Sequence, residues 1–182
     1  PCCGSGIFLV TVYEKLLEKI KELDTEGKYC LEYNGEKYLT LDAKRKLRHS
    51  CLYGVDIDLT AIEVTKMSLA LKIIDDVVPE LYSASGMFGE KILRDIHDNI
   101  VCGNTLVDGD INLSIDEIIE IKPLSIRKKF KDVFLAGGFS YIIGNPPYVE
   151  TKFFKSSSLT MHTYLKNKYS SFEGKVDLSV LF

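Results

Sequence analysis

The sequence predicts an α/β domain built on a mostly parallel, doubly wound sheet. Short apolar runs ending in a glycine or an acid alternate with longer stretches of helical periodicity, and polar residues able to do chemistry fall just after those runs. Parallel neighbours need long crossover connections, which the helical stretches supply. Ligands in such sheets sit beyond the carboxyl ends of the strands.

The first helix follows Gly6, where Phe8, Leu9, Val12, Leu16, Leu17 and Ile20 recur at three- and four-residue spacing with Glu14, Lys15, Glu18 and Lys19 between them. Residues 24–48 are polar and read as an insertion. Asn34-Gly35 between two tyrosine-bearing segments predicts a hairpin with a type I′ turn. Cys51 to Asp56 reads as a strand, and the pattern from Ala61 to Leu71 as a helix closing before Pro79. The stretch 80–90, with Ser83, Ser85, Gly86 and Gly89, reads as a loop, and Asn99 to Cys102 as the next strand. Asp116 to Ile121 predicts a short helix. Pro123 suits the first turn of another, running to about Ala136 and stopped by Gly137-Gly138. Phe139 to Gly144 is a fourth apolar run, leading straight into Asn145-Pro146-Pro147-Tyr148.

At 182 residues and 46% hydrophobic content, one domain with a substantial core is expected. A formal net charge of −3 excludes a global basic field, so any nucleic-acid contact must be local. The five cysteines have no metal-ligand or framework spacing, which points to a reducing cytoplasm and to no metal site. No apolar run approaches the roughly 20 residues that span a bilayer, so no membrane association is expected.

Three turns carry candidate chemistry. Cys3-Gly4-Ser5-Gly6 stands where a strand hands over to a helix, and its glycines let a nucleotide-like ligand approach the backbone; an ordinary helix-start turn explains the same residues equally well. Asp56 ends the next strand, where a carboxylate can accept from two ribose hydroxyls, with Ile57 beside it to pack on a ring. Helix capping is the plainer account of such acids; Asp58 is expected to cap, while Asp56 faces the ligand. Gly103-Asn104 offers a polar side chain after the third strand, or simply an Asn in a turn.

Asn145-Pro146-Pro147-Tyr148 is the strongest signal. Two prolines fix two φ angles and remove two donors, so the loop presents a carbonyl with no competing N–H. Asn145 adds an amide oxygen and Tyr148 an aromatic face. Two neighbouring acceptors can take both hydrogens of an exocyclic amine and localise its lone pair as a nucleophile.

Pro1-Cys2-Cys3-Gly4-Ser5-Gly6, Tyr53 to Asp58, Gly103-Asn104-Thr105-Leu106 and Gly137 to Val149 occur in the order found in adenine-specific DNA methyltransferases of restriction–modification systems, which the chain resembles over essentially its whole length. The match is nearest to the branch that fuses methylase and endonuclease, and Lys175 to Phe182 resembles that family's next helix start. The resemblance implies a Rossmann-like S-adenosylmethionine-dependent fold over residues 1–182, truncated at both ends and lacking the target-recognition domain. It implies S-adenosylmethionine as cofactor, held by Pro1, Cys3, Gly4, Gly6, Asp56, Ile57 and Asn104: the glycines near the methionine part, Asp56 on the ribose, Ile57 and Asn104 on the adenine. Asn145, Pro146, Pro147 and Tyr148 would form the catalytic loop for the N6 amine of an adenine flipped from double-stranded DNA. A fused or partner nuclease and a specificity domain are implied partners. The family's acid before the first motif and its leading strand would precede Pro1, so the isolated chain is expected to be inactive.

Two other readings stay open: methylation of a protein glutamine amide by the same loop, and a non-catalytic fragment that contributes only DNA contact or assembly. Lysines and aromatics between Thr151 and Lys175 suit a nucleic-acid face or a solvated face over core aromatics. Arg127-Lys128-Lys129 reads as a helix exterior, and His49, His97 and His162 take no role.

Overall fold

The computed structural model describes residues 1–77, 99–150, 159–172 and 177–182. In chain order these form α1 (Ile7–Leu23), β1 (Cys30–Tyr33), β2 (Glu36–Leu39), α2 (Leu41–Cys51), β3 (Gly54–Asp56), α3 (Leu59–Ile74), β4 (Ile100–Cys102), α4 (Ile115–Ile121), α5 (Ile126–Lys129), α6 (Lys131–Leu135), α7 (Leu159–Lys168) and a closing 3₁₀ turn (Leu178–Leu181). β1 pairs with β2 and β3 with β4. Gly54 N–H donates to Asn99 O and Gly103 N–H to Asp56 O, so residue numbers rise together along β3 and β4, the signature of a parallel pair. The chain divides into two compact units, one of Pro1–Cys3, Val55–Leu59 and Cys102–Phe182, the other of Gly4–Gly54 and Thr60–Val101.

In the second unit, the predicted hairpin is present in the predicted turn geometry. Asn34 and Gly35 have φ of 53° and 80°, as a type I′ turn requires at both centres. Its base is closed by Asp24, whose carboxylate accepts from the N–H groups of Lys28 (2.9 Å), Tyr29 (2.8 Å) and Cys30 (2.7 Å). Leu17 and Ile20 of α1 pack on a small core of Cys30, Leu39 and Ala43. The fully buried Tyr13 donates its hydroxyl to the Lys44 carbonyl at 2.8 Å. Lys72 of α3 pairs with Glu14 of α1 at 2.8 Å.

The structure adds α2, which the sequence reading left inside the polar insertion. Thr40 caps it, its side chain accepting from Ala43 N–H at 3.1 Å. Lys44 and Arg48 are buried along it, and the Lys44 ammonium bonds the Asp75 carbonyl. Because α2 runs to Cys51, the strand expected from Cys51 begins only at Gly54.

In the first unit, Leu106, Val107, Ile121, Met161, Leu165, Phe172, Leu178 and Leu181 form the core. α4 opens with a reciprocal capping box: Ser114 accepts from Glu117 N–H while Glu117 accepts from Ser114 N–H. The single helix expected from Pro123 to Ala136 is instead two short ones. Pro123 bridges to Asn104, Ser125 precedes α5, and Phe130 (φ −111°, ψ 43°) breaks the run before α6. That break lets Phe130 and Phe134 both meet the Phe139 ring edge-on, with centroids 5.9 and 5.7 Å away. The fourth apolar run is not a strand. Among the described residues, the backbone of 141–148 finds no hydrogen-bonding partner, and Tyr141, Ile142 and Ile143 are 88%, 70% and 54% exposed. An apolar run becomes a strand only when a neighbour takes up its amides. The loop expected at 80–90 lies outside the described residues, as does part of the expected closing helix, of which Leu178–Leu181 is a 3₁₀ turn.

Candidate functional site

In the first unit, Pro1–Cys3 lies beside the end of β3, with Cys3 N–H donating to Val55 O at 3.1 Å. Gly144 approaches the other end of this segment so closely that a Cβ there would sit 2.5 Å from the Pro1 carbonyl oxygen. The glycine before Asn145 is therefore demanded by packing. Pro1 and Cys3 are thus set between the end of β3 and the start of the Asn145–Tyr148 loop. Burial, and the nearby Asp56 carboxylate, push the Cys2 thiol above its ordinary range.

Half-buried Asp56 ends β3. Its Oδ1 accepts from Asp58 N–H at 3.0 Å, so this carboxylate also braces the turn leading into α3. Ile57 follows with its side chain 48% exposed. Its carbonyl is engaged instead, accepting from Lys122 Nζ at 3.0 Å and from Cys102 Sγ at 3.3 Å. Asn104, after β4, is buried. Its Oδ1 accepts from Leu106 N–H at 3.0 Å, its backbone N–H donates to Lys122 O at 2.7 Å, and its carbonyl accepts from Leu124 N–H at 3.1 Å. The Asn therefore does serve its turn. An amide oxygen has a second lone pair, and Nδ2 donates to no described residue, so one edge of the side chain remains for a ligand.

In the Asn145–Tyr148 loop, Asn145 and Pro147 are exposed, Pro146 is half-buried, and the Tyr148 ring is 79% exposed. A large aromatic left this open suits stacking on a planar ligand. Val149 O accepts from Leu178 N–H at 2.8 Å, anchoring the loop's far end to the closing 3₁₀ turn.

In the second unit, Gly4 (φ 55°) and Gly6 (φ 83°) form a left-handed turn that starts α1. Thr65 of α3 fixes it: its hydroxyl donates to the Gly4 carbonyl at 2.9 Å, and its methyl would lie 2.6 Å from a Cβ on Gly6. Thr65 and Lys122 are the residues that reading the sequence missed. Neither sits in a motif, and each acts across more than 60 positions.

Of the lysine and aromatic segment, residues 151–158 and 173–176 lie outside the described residues. Of the rest, Phe172 is core, Tyr169 donates to Leu106 O at 3.1 Å, and Lys168 bonds Asp108 at 2.5 Å and the Tyr164 hydroxyl at 2.8 Å. Burial disfavours the Lys168 charge, but those two bonds outweigh it and raise the ammonium above its ordinary value. The exposed Arg127-Lys128-Lys129 stretch turns one guanidinium onto the Phe134 ring, 4.9 Å away. His162 stacks edge-on against Phe172 at 5.1 Å. Among the described residues, no cluster of His, Cys, Asp and Glu could hold a metal ion, and no helix is long and apolar enough to cross a membrane.

Comparison with known proteins puts the chain among the restriction–modification methylases. Residues 50–182 match the family described as Eco57I restriction-modification methylase, and the chain belongs to it. It is 25% identical over 183 residues to the type II restriction enzyme and methyltransferase RM.Eco57I of Escherichia coli, covering 99% of this chain and 17% of that protein. It is 35% identical over 126 residues to the putative type II restriction enzyme and methyltransferase RM.MjaORFECS2P of Methanocaldococcus jannaschii, covering 69% of this chain and 9% of the relative. The chain thus spans less than a fifth of the length of either relative. No solved structure matches it.

Proposed function

We propose that residues 1–182 form part of the catalytic domain, with an insertion at about 24–48, of a DNA methyltransferase that transfers the methyl of S-adenosylmethionine to the N6 amine of adenine in a restriction–modification system. The observation that carries this reading is the Asn145-Pro146-Pro147-Tyr148 loop in a chain of this family: its backbone is unengaged among the described residues, its asparagine exposed and its tyrosine ring open. Both relatives are named as restriction enzyme and methyltransferase together, which supports DNA as substrate over a protein glutamine and supports a nuclease in the same polypeptide. The parallel β3–β4 pair, with Pro1–Cys3 alongside Val55, supports a doubly wound sheet of the Rossmann-like type. Five cysteines, none of them in a disulfide, suit a cytoplasmic protein.

The residues present fit the cofactor. Gly6 gives the first turn its left-handed bend, Asp56 offers a half-buried carboxylate for ribose hydroxyls, and the exposed Ile57 face and the Asn104 amide suit an adenine ring. Pro1, Cys3 and Gly4 complete the set that would hold it. When bound, S-adenosylmethionine supplies an electrophilic methyl group. The chain's own work is to hold the acceptor. Asn145 Oδ1 and the Pro146 carbonyl accept the two hydrogens of the flipped adenine's amine, Pro147 keeps the loop rigid, and Tyr148 stacks on the base. Positioning is then the main catalytic contribution.

The test is transfer of radiolabelled methyl from S-adenosylmethionine to duplex DNA by the full-length protein, with the digested product resolved into bases. Label in N6-methyladenine is expected. Asn145→Ala should lower transfer about a hundredfold or more, as loss of an aligned polar group in a reacting site does, and leave cofactor affinity within about threefold, under one kcal/mol. Label in release-factor protein but in no DNA would overturn the choice of substrate.

A further inference from the structure

The two residues proposed to meet the cofactor's adenine, Ile57 and Asn104, sit on separate irregular turns, and one side chain and one carbonyl of the same residue hold both. Lys122 donates its ammonium to Ile57 O at 3.0 Å and accepts Asn104 N–H at its own carbonyl at 2.7 Å. From this geometry we infer that Lys122 is a positioning residue for adenine recognition, acting through those turns without touching the ligand. The inference rests on the proposed function above.

The backbone at Lys122 supports the assignment. It is the C-cap of α4, in the left-handed region at φ 51°, ψ 55°. A glycine adopts that conformation without strain and is the usual occupant of such a cap. A lysine there is strained, yet it is this turn that carries its chain out of α4 while its ammonium reaches Ile57. The next residues extend the hold: Pro123 forms a parallel bridge with Asn104, and Leu124 N–H donates to the Asn104 carbonyl. Asn104 is thereby gripped at both its amide and its carbonyl, leaving its side-chain edge fixed. Ile57 has its carbonyl drawn toward Lys122 and its side chain left exposed.

Lys122→Gly in the full-length protein separates a positioning role from a merely structural one, because glycine relieves the strained cap while deleting the ammonium. Binding is measured by calorimetry with S-adenosylhomocysteine and with its inosine analogue, in which the adenine amine is replaced by oxygen. The expected result is S-adenosylhomocysteine binding weakened roughly tenfold, the worth of one charge-assisted hydrogen bond, a narrowed preference over the inosine analogue, and an unchanged or higher melting temperature. Lys122→Arg should restore binding to within about threefold of wild type, since a guanidinium can also donate to Ile57 O. Lys122→Met, which keeps an L side chain in the cap, should match the glycine variant in affinity. Affinity and preference equal to wild type in folded Gly and Met variants would overturn the inference alone. A wild-type protein that binds neither ligand would overturn the cofactor reading and the inference with it.

Discussion

Gly6→Ala isolates how strongly the first turn is constrained. Two costs add. At φ 83° an alanine enters the left-handed region at roughly 1–2 kcal/mol. Its Cβ would also fall 2.6 Å from Thr65 Cγ2, 2.7 Å from Oγ1 and 3.0 Å from Cβ. Thr65 is fully buried, β-branched and tied by its hydroxyl to Gly4 O, so it cannot rotate away cheaply. Overpacking of that kind costs about 1–3 kcal/mol, giving about 2–5 kcal/mol in all. Gly4→Ala is the internal control: its φ is also positive, but nothing lies within 4 Å of the added Cβ, so only the roughly 1–2 kcal/mol backbone cost applies. Urea unfolding at constant m-value measures both. In a Thr65→Ala background the Gly6→Ala cost should fall by about 1 kcal/mol, a coupling of the size expected for touching residues. Equal costs at Gly4 and Gly6, or no change in the Thr65→Ala background, would refute the steric reasoning.

Two further outcomes follow from the packing and electrostatics. Asp24 is buried, which by itself would raise its pKa, but the N–H bonds from Tyr29, Lys28 and Cys30 outweigh that and hold the carboxyl below its ordinary value. Its stabilising effect is therefore present above the unfolded carboxylate pKa, near 4, and is lost as pH falls through the lower folded value. Asp24→Asn should lower the urea midpoint at pH 7 and converge with wild type in acid; a constant difference at all pH values would rule this out. Leu165→Ala, at a fully buried core position, should cost about 2–5 kcal/mol in the same unfolding assay, and a loss under half a kcal/mol would mean that α7 does not seal that core.

Local signals were legible in the sequence wherever a residue acts on its neighbours. Asn34-Gly35 marked a turn because both positions need positive φ, and the apolar spacing after Gly6 marked α1. α2 was hidden because Asp42, Lys44, Arg45, Lys46 and Arg48 make it look like a solvated stretch, whereas Lys44 and Arg48 are buried along their length. Phe139 to Gly144 misled for the opposite reason: apolar content was read as a strand, although pairing depends on a neighbour that periodicity does not reveal. At the candidate site the motif residues could be named, but what holds them could not. Asp56 and Asn104 serve their own turns, and Thr65 and Lys122 act over distances that carry no local pattern.

The Asp24 clamp also makes the hairpin a handle. All of its closing bonds lie at the base, whereas Asn34 and Gly35 at the tip are exposed, and a Cβ on Gly35 would meet nothing within 4 Å. Closing a longer loop over the same base adds only about 0.6 kcal/mol per doubling of length. An affinity tag or a fluorophore-bearing cysteine set between those two residues would report on the protein without touching the hairpin core.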